Sequence, residues 1–180
     1  PRVPSVGGQY VHNSLSPIDR WKILDNLRRS MTNPTLLLFF VLGWTWLPGS
    51  PLWWAFGAIM LVLAPIFPAI VFDRHRRAAH LGRGALAMAF LAHESVIVVD
   101  AVVRVMVRTL VTGKNLLQWT AAANMEHSIA RTTPRALYWQ TLAGSPLLAA
   151  AVMAIVAWAR PSALVAATPF LIIWFLAPEI

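Results

Sequence analysis

The chain has 180 residues, of which 58% are hydrophobic and 12% charged, with 9 Trp, no Cys and a formal charge of +8. Water-soluble domains average about 25% charged residues, so this composition belongs to a chain solvated largely by lipid. The missing cysteines exclude disulfides and thiolate metal sites. The basic excess, gathered in links between apolar runs, follows membrane topology rather than a nucleic-acid footprint.

Residues 1–15 are rich in Pro, Gly, Ser and Asn without a period, which predicts an irregular linker from an upstream domain. The chain lacks an initiator Met, and its last residues, FLIIWFLAPEI, break off inside a hydrophobic run. The expectation is therefore an internal segment of a longer protein.

An amphipathic helix is predicted over 16–33. Ser16 suits its N-cap, Pro17 its first position, and Asp19 the reciprocal carboxylate of a capping box. Ile18, Trp21, Leu24, Leu27 and Met31 form one apolar face, and Arg20, Lys22, Arg28 and Arg29 surround it with cations. Such a helix lies in a headgroup plane; packing on an adjoining soluble domain uses the same face equally well.

A transmembrane hairpin is predicted over 34–72. Its first run, Pro34 to Leu47, is about 21 Å long as a helix, and its second, Pro51 to Phe72, about 33 Å. Pro48-Gly49-Ser50-Pro51 makes the turn, with Trp44, Trp46, Trp53 and Trp54 at an interfacial belt. A second hairpin is predicted over 136–180, with one span from Ala136 to Trp158 and another starting at Ser162, kinked at Pro169.

Between the hairpins, 73–135 reads as a cytoplasmic or interfacial helical segment. The stretch 95–112 is apolar, but Asp100, Arg104 and Arg108 would each cost roughly 2.5–3.5 kcal/mol at the centre of a span. Asp100 is placed to pair with Arg104 one turn on. Their stripe suits water, headgroups or a neighbouring domain, with a sugar- or nucleotide-facing role as the alternative. His93-Glu94 lacks the second His of a zinc helix because position 97 is Ile. Gln118 and Trp119, on a second interfacial stretch, suit interface anchoring, or hydrogen bonding and stacking on a sugar. Fourteen of the fifteen Lys and Arg residues then lie on the cytoplasmic side, and only Arg160 lies on the other. The predicted fold class is an all-α membrane protein with about four transmembrane helices as two hairpins, plus amphipathic interfacial helices on the cytoplasmic side where both ends lie.

The block SPIDRWKILDNLRRSM, followed by an apolar hairpin and then KNLLQWTAAANMEHS, resembles the bacterial cyclic β-1,2-glucan synthases. The resemblance implies a multi-pass inner-membrane enzyme that builds β-1,2-glucan from UDP-glucose. It also implies an upstream glycosyltransferase domain, which takes a divalent metal, and a downstream glycoside phosphorylase-like domain. The nucleotide-binding aspartates and the Q-x-x-R-W signature of such transferases do not occur in this chain, and Gln118-Trp119 does not match that signature. The expectation is a segment with no catalytic residue, no cofactor or metal of its own and no nucleic-acid partner, which anchors the transferase in the lipid bilayer and lines a glucan path. Candidate substrate-contact or domain-interface residues are Trp21, Arg28, Arg29, Asp100, Arg104, Arg108, Gln118 and Trp119. A non-enzymatic membrane scaffold or part of a transporter is the alternative.

Overall fold

The computed structural model describes residues 2–4, 10–12, 16–113 and 134–180. It divides into two compact units, Pro1–Thr32 and Asn33–Ile180.

In the first unit, Arg2–Pro4 (β1) and Tyr10–His12 (β2) pair antiparallel with Val3 opposite Val11, so a short hairpin occurs within the stretch read as irregular. The β-branched Val3 and Val11 and the aromatic Tyr10 favour extended backbone. Helix α1 spans Pro17–Ser30. The Ser16 hydroxyl accepts the Asp19 N–H at 3.2 Å, the N-cap bond that the sequence led us to expect, and itself donates to the Asp19 carboxylate at 2.7 Å. No residue of α1 is buried, and Ile18, Trp21 and Leu24 are all exposed.

The second unit is helical among its described residues. Helix α2 (Thr32–Thr45) begins before Pro34, which sits in the first turn where its missing N–H costs nothing. Ser50 and Pro51 start α3 (Pro51–Leu63), after a turn in which Gly49 takes φ +88°. The predicted second span does not run on to Phe72 as one helix. Pro65 and Pro68 lack the N–H groups that would bond the carbonyls of Leu61 and Ala64, and the chain breaks before the short α4 (Phe67–Phe72). Helix α5 runs Arg77–Val107 and passes into a π-turn, Arg108–Thr112, closed by Gly113 at φ +61°. The predicted third span is likewise two pieces, α6 (Pro134–Thr141) and α7 (Gly144–Ala159), bent by 54°. Pro146 cannot bond the Leu142 carbonyl, which instead takes the Ser145 N–H. Helix α8 (Leu164–Phe175) contains Pro169 without ending there.

Helices α2 and α3 form one antiparallel pair, with Gly43 against Trp54 and Gly57 against Phe39. Helices α7 and α8 form another, tied by the Ser145 hydroxyl, which donates to the Trp174 carbonyl at 2.7 Å. The pairs meet through Phe40, Trp44, Phe170 and Trp174, whose ring centroids lie 4.9 to 5.9 Å apart. Phe40, Trp44 and Trp174 are fully buried. Arg160, in the α7–α8 link, donates to the carbonyls of Leu47 and Gly49 at 3.1 and 2.7 Å. Both hairpin links thus lie at one end, which we call distal. Asn33, Leu63, Gly144 and Trp174 mark the other, proximal end.

Helix α5 keeps to the proximal end. Its Gly84 meets Leu63 and Ile66 at the end of α3, and Val96 meets Gly144 at the start of α7. Its Met88 carbonyl accepts the Trp174 indole N–H at 3.0 Å, and Glu94 bonds Asn33 at the start of α2. Ser95 to Val103 border a groove with Pro34, Leu37, Leu38 and Leu148. Gly84 to Val103 covers about 28 Å. A helix running alongside the bundle would reach Thr45, Pro51 or Ala159 within that rise, whereas α5 crosses the proximal ends of all four helices.

Helix length does not by itself establish the expected four or so transmembrane helices, the first of which is already short in the sequence. By length and apolarity alone, among the described residues, Arg77–Thr112 is the one helix able to cross a membrane, and the bent pair Arg135–Thr141 with Gly144–Ala159 makes a second if counted as one span. Pro51–Leu63 and Pro161–Phe175 are shorter apolar helices; the first is cut short by Pro65 and Pro68, which divide its apolar run.

Candidate functional site

Apart from Arg160 at the distal end, the ion pairs and charged hydrogen bonds of the second unit lie toward its proximal end, where helix termini and α5 place them. On α5, Asp100 and Arg104 pair at 2.8 Å across one turn, both half exposed or more. Arg108 opens the π-turn, and its carbonyl accepts the Gly113 N–H at 2.8 Å. Six residues before Asp100 and toward α2, Glu94 accepts from Asn33. The groove beside them has a volume of about 380 Å³ and is apolar except at Ser95 and Asp100.

A second cluster fastens α6 to the chain's last turn, Ala177–Glu179. Arg135 donates to one Glu179 carboxylate oxygen at 3.0 and 2.7 Å, and the Trp139 indole N–H donates to the same oxygen at 2.7 Å. Those bonds, Trp139's foremost and then Arg135's, hold Glu179 below the usual carboxylate range. Beside them an open cavity of about 630 Å³ is lined by Phe90, Tyr138 and Leu142. A carboxylate with a depressed folded-state pKa contributes stability that is complete above its ordinary pKa and is lost as pH falls through the depressed value. Acidification through and below the ordinary glutamate range should therefore release Trp139 and shift its emission, and Glu179→Gln should abolish that titration.

The sequence candidates divide between the two units. In the first, Trp21 is exposed, and Arg28 and Arg29 both engage Asp25, at 2.9 and 2.5 Å. Hydrogen bonds from Arg28 first and Arg29 second keep Asp25 below the usual carboxylate range. In the second unit the structure brings together Asp100 and Arg104. Gln118 and Trp119 lie outside the described residues. Sequence reasoning missed Asp25 as the partner of both arginines, although its three- and four-residue spacing signals it. Nothing local signals Arg135–Glu179 or Asn33–Glu94, whose partners stand 44 and 61 residues apart.

Among the described residues no group of three or more His, Asp or Glu side chains comes together to hold a metal ion. Asn33–Glu94 and Arg135–Glu179 tie elements together, whereas Asp100–Arg104 lies within one helix.

No family model matches the chain. It is 30% identical over 186 residues to the cyclic beta-(1,2)-glucan synthase NdvB of Rhizobium meliloti (strain 1021), an alignment that covers 93% of this chain and 6% of that enzyme. The chain is a relative of that cyclic glucan synthase, corresponding to a small segment of its length.

Proposed function

We propose that the chain is the membrane-embedded segment of a cyclic β-1,2-glucan synthase, and that it anchors a UDP-glucose-dependent glucosyltransferase domain of the same polypeptide without taking part in catalysis. The observation that carries this reading is the bundle itself: two apolar hairpins with their links at one end, and α5 laid across the other end with its charged groups. Exposed Trp46 (83%), Trp53 (74%) and Trp158 (88%) ring the distal end, and Tyr138 and Trp139 stand at the proximal one. Two aromatic belts of this kind mark the two interfaces of a bilayer. Gly144 to Trp158 covers about 21 Å of helix rise against a hydrocarbon core of about 30 Å, and the bent α6 carries Tyr138 and Trp139 beyond it. Short helices suffice where flanking side chains and local thinning meet the bilayer.

In this arrangement α5 lies at the cytoplasmic interface, and both chain ends face the cytoplasm. Its charges then escape the cost of the bilayer centre, which a spanning α5 would incur at Asp100 and Arg104. The α1 helix offers its exposed Ile18, Trp21 and Leu24 stripe to the headgroup plane. The filled aromatic centre argues against a conduit between the four helices at the level of Phe40, Trp44 and Trp174. Membranes carrying the full-length protein should incorporate glucose from UDP-glucose into β-1,2-glucan, and deleting 34–180 should release the transferase from membranes. Persistent membrane attachment after that deletion would defeat the anchoring role.

A further inference from the structure

The corner between α4 and α5 concentrates cations at the point where the chain leaves the bundle. Arg74, Arg76, Arg77 and Arg83 fall within ten residues, with Asp73 as the acid among them. That acid is already engaged: one carboxylate oxygen accepts the Arg76 N–H at 3.1 Å, and the other lies 3.4 Å from His80 Nε2. Arg77 is pinned as well, its Nε donating to the Ile70 carbonyl at 3.0 Å. Arg74, Arg76 and Arg83 are exposed, and among the described residues none of the three makes an ion pair. Arg76 and Arg83 stand seven residues apart, two helical turns, and so share one line.

Apolar bodies flank these cations. Phe72 is 84% exposed, and Phe67 and Leu81 are exposed beside it. A surface that is at once cationic and aromatic calls for a neighbour with negative charge and hydrocarbon in adjacent layers. The acidic face of another domain would satisfy the arginines and leave Phe67 and Phe72 in water.

We propose that this corner is a binding site for anionic phospholipids, in which Arg74, Arg76 and Arg83 hold the headgroup phosphates while Phe67 and Phe72 enter the acyl layer. The site rests on the membrane reading given above. It adds to that reading a lipid preference located on one corner of the fold rather than spread over its perimeter. Arginine suits the task because its planar fork meets phosphate through paired hydrogen bonds.

The test measures lipid retention by native mass spectrometry on the full-length protein, released from vesicles of equal phosphatidylglycerol and phosphatidylcholine. A surface cation is worth roughly a fivefold gain in binding to an anionic lipid layer at low salt. The unchanged protein should hold phosphatidylglycerol over phosphatidylcholine by tenfold or more, by this order of magnitude. Arg74→Gln with Arg76→Gln and Arg83→Gln should bring that preference close to one, and the corresponding three Arg→Lys changes should keep most of it. Glycerol phosphate in solution should not displace the lipid. The proposal is wrong if the triple Gln variant keeps its preference. It is also wrong if free glycerol phosphate competes as well as the lipid, or if the variant instead sheds an acidic soluble domain while holding lipid unchanged. Alkaline extraction separates the two levels of the argument. Unchanged protein that washes off membranes refutes the membrane reading, whereas protein that stays embedded with no lipid preference refutes the headgroup site alone.

Discussion

Phe40→Ala should destabilise the bundle by about 2–3 kcal/mol, read as a lower unfolding temperature in mild detergent. Large-to-small changes at fully buried aromatic sites in water-soluble cores cost about 3–5 kcal/mol, the sum of a transfer term and a cavity term. Between helices in lipid the transfer term shrinks, because acyl chains are as apolar as the interior. The cavity term remains, and Phe40 touches the rings of Trp44, Phe170 and Trp174, the last of these edge-on at 5.8 Å. Three ring contacts disappear together, each worth about 0.5–1.5 kcal/mol beyond area. The comparison that gives this number meaning is Leu61→Ala, at an exposed site on α3, which should fall within about 0.5 kcal/mol of the unchanged protein. Equal losses at the two positions would show that the aromatic centre does not hold the hairpins together.

Gly43→Val is the second large effect. A Cβ at position 43 would stand 2.5 Å from Trp54 Cβ and 3.1 Å from its Cγ. These atoms sit next to the backbone and cannot swing aside as a side-chain tip can. The α2–α3 pair would have to open, at an overpacking cost of about 1–3 kcal/mol, and the Trp54 indole bond to the Pro48 carbonyl, 2.8 Å, would be strained with it. Close approach of helices through small residues is the usual means of packing in lipid. Gly57→Ala makes the control on the facing helix, since its new Cβ meets only Phe39 at 3.9 Å, an ordinary contact. Thermal unfolding should separate the two by several degrees, and a Gly43→Val protein as stable as Gly57→Ala would refute the close crossing.

Much of this fold was legible because its signals are local. Ser16, Pro17 and Asp19 announce the start of α1, and Pro48 to Pro51 announce the turn, each through chemistry confined to a few residues. The bends were legible only in part. Prolines at 65, 68 and 146 were visible, but uninterrupted apolarity from 51 to 72 and from 136 to 158 reads as continuous span when hydropathy is weighed without backbone hydrogen bonding. The course of α5 was the hardest feature to read. Val, Ile and Leu make a helix apolar whether it crosses a bilayer or lies against helix ends. Its direction is decided by where a close neighbour fits, as at Gly84 beneath Leu63 and at Gly144 beneath Val96. Neither contact leaves a mark in the sequence. The candidate site divides the same way: Asp100–Arg104 follows from helical spacing, while the Glu179 cluster depends on a chain end returning to α6.

The orientation of α5 can be tested without ambiguity, because the chain has no cysteine and single cysteines can be placed at will. Ala78 and Thr112 stand near the two ends of α5 and its π-turn, and Ser50 and Ser162 stand in the two hairpin links. With a membrane-impermeant maleimide on sealed vesicles, cysteines at 78 and 112 should label from one side and those at 50 and 162 from the other. Labelling of 78 and 112 from opposite sides would make α5 a membrane span and contradict the account.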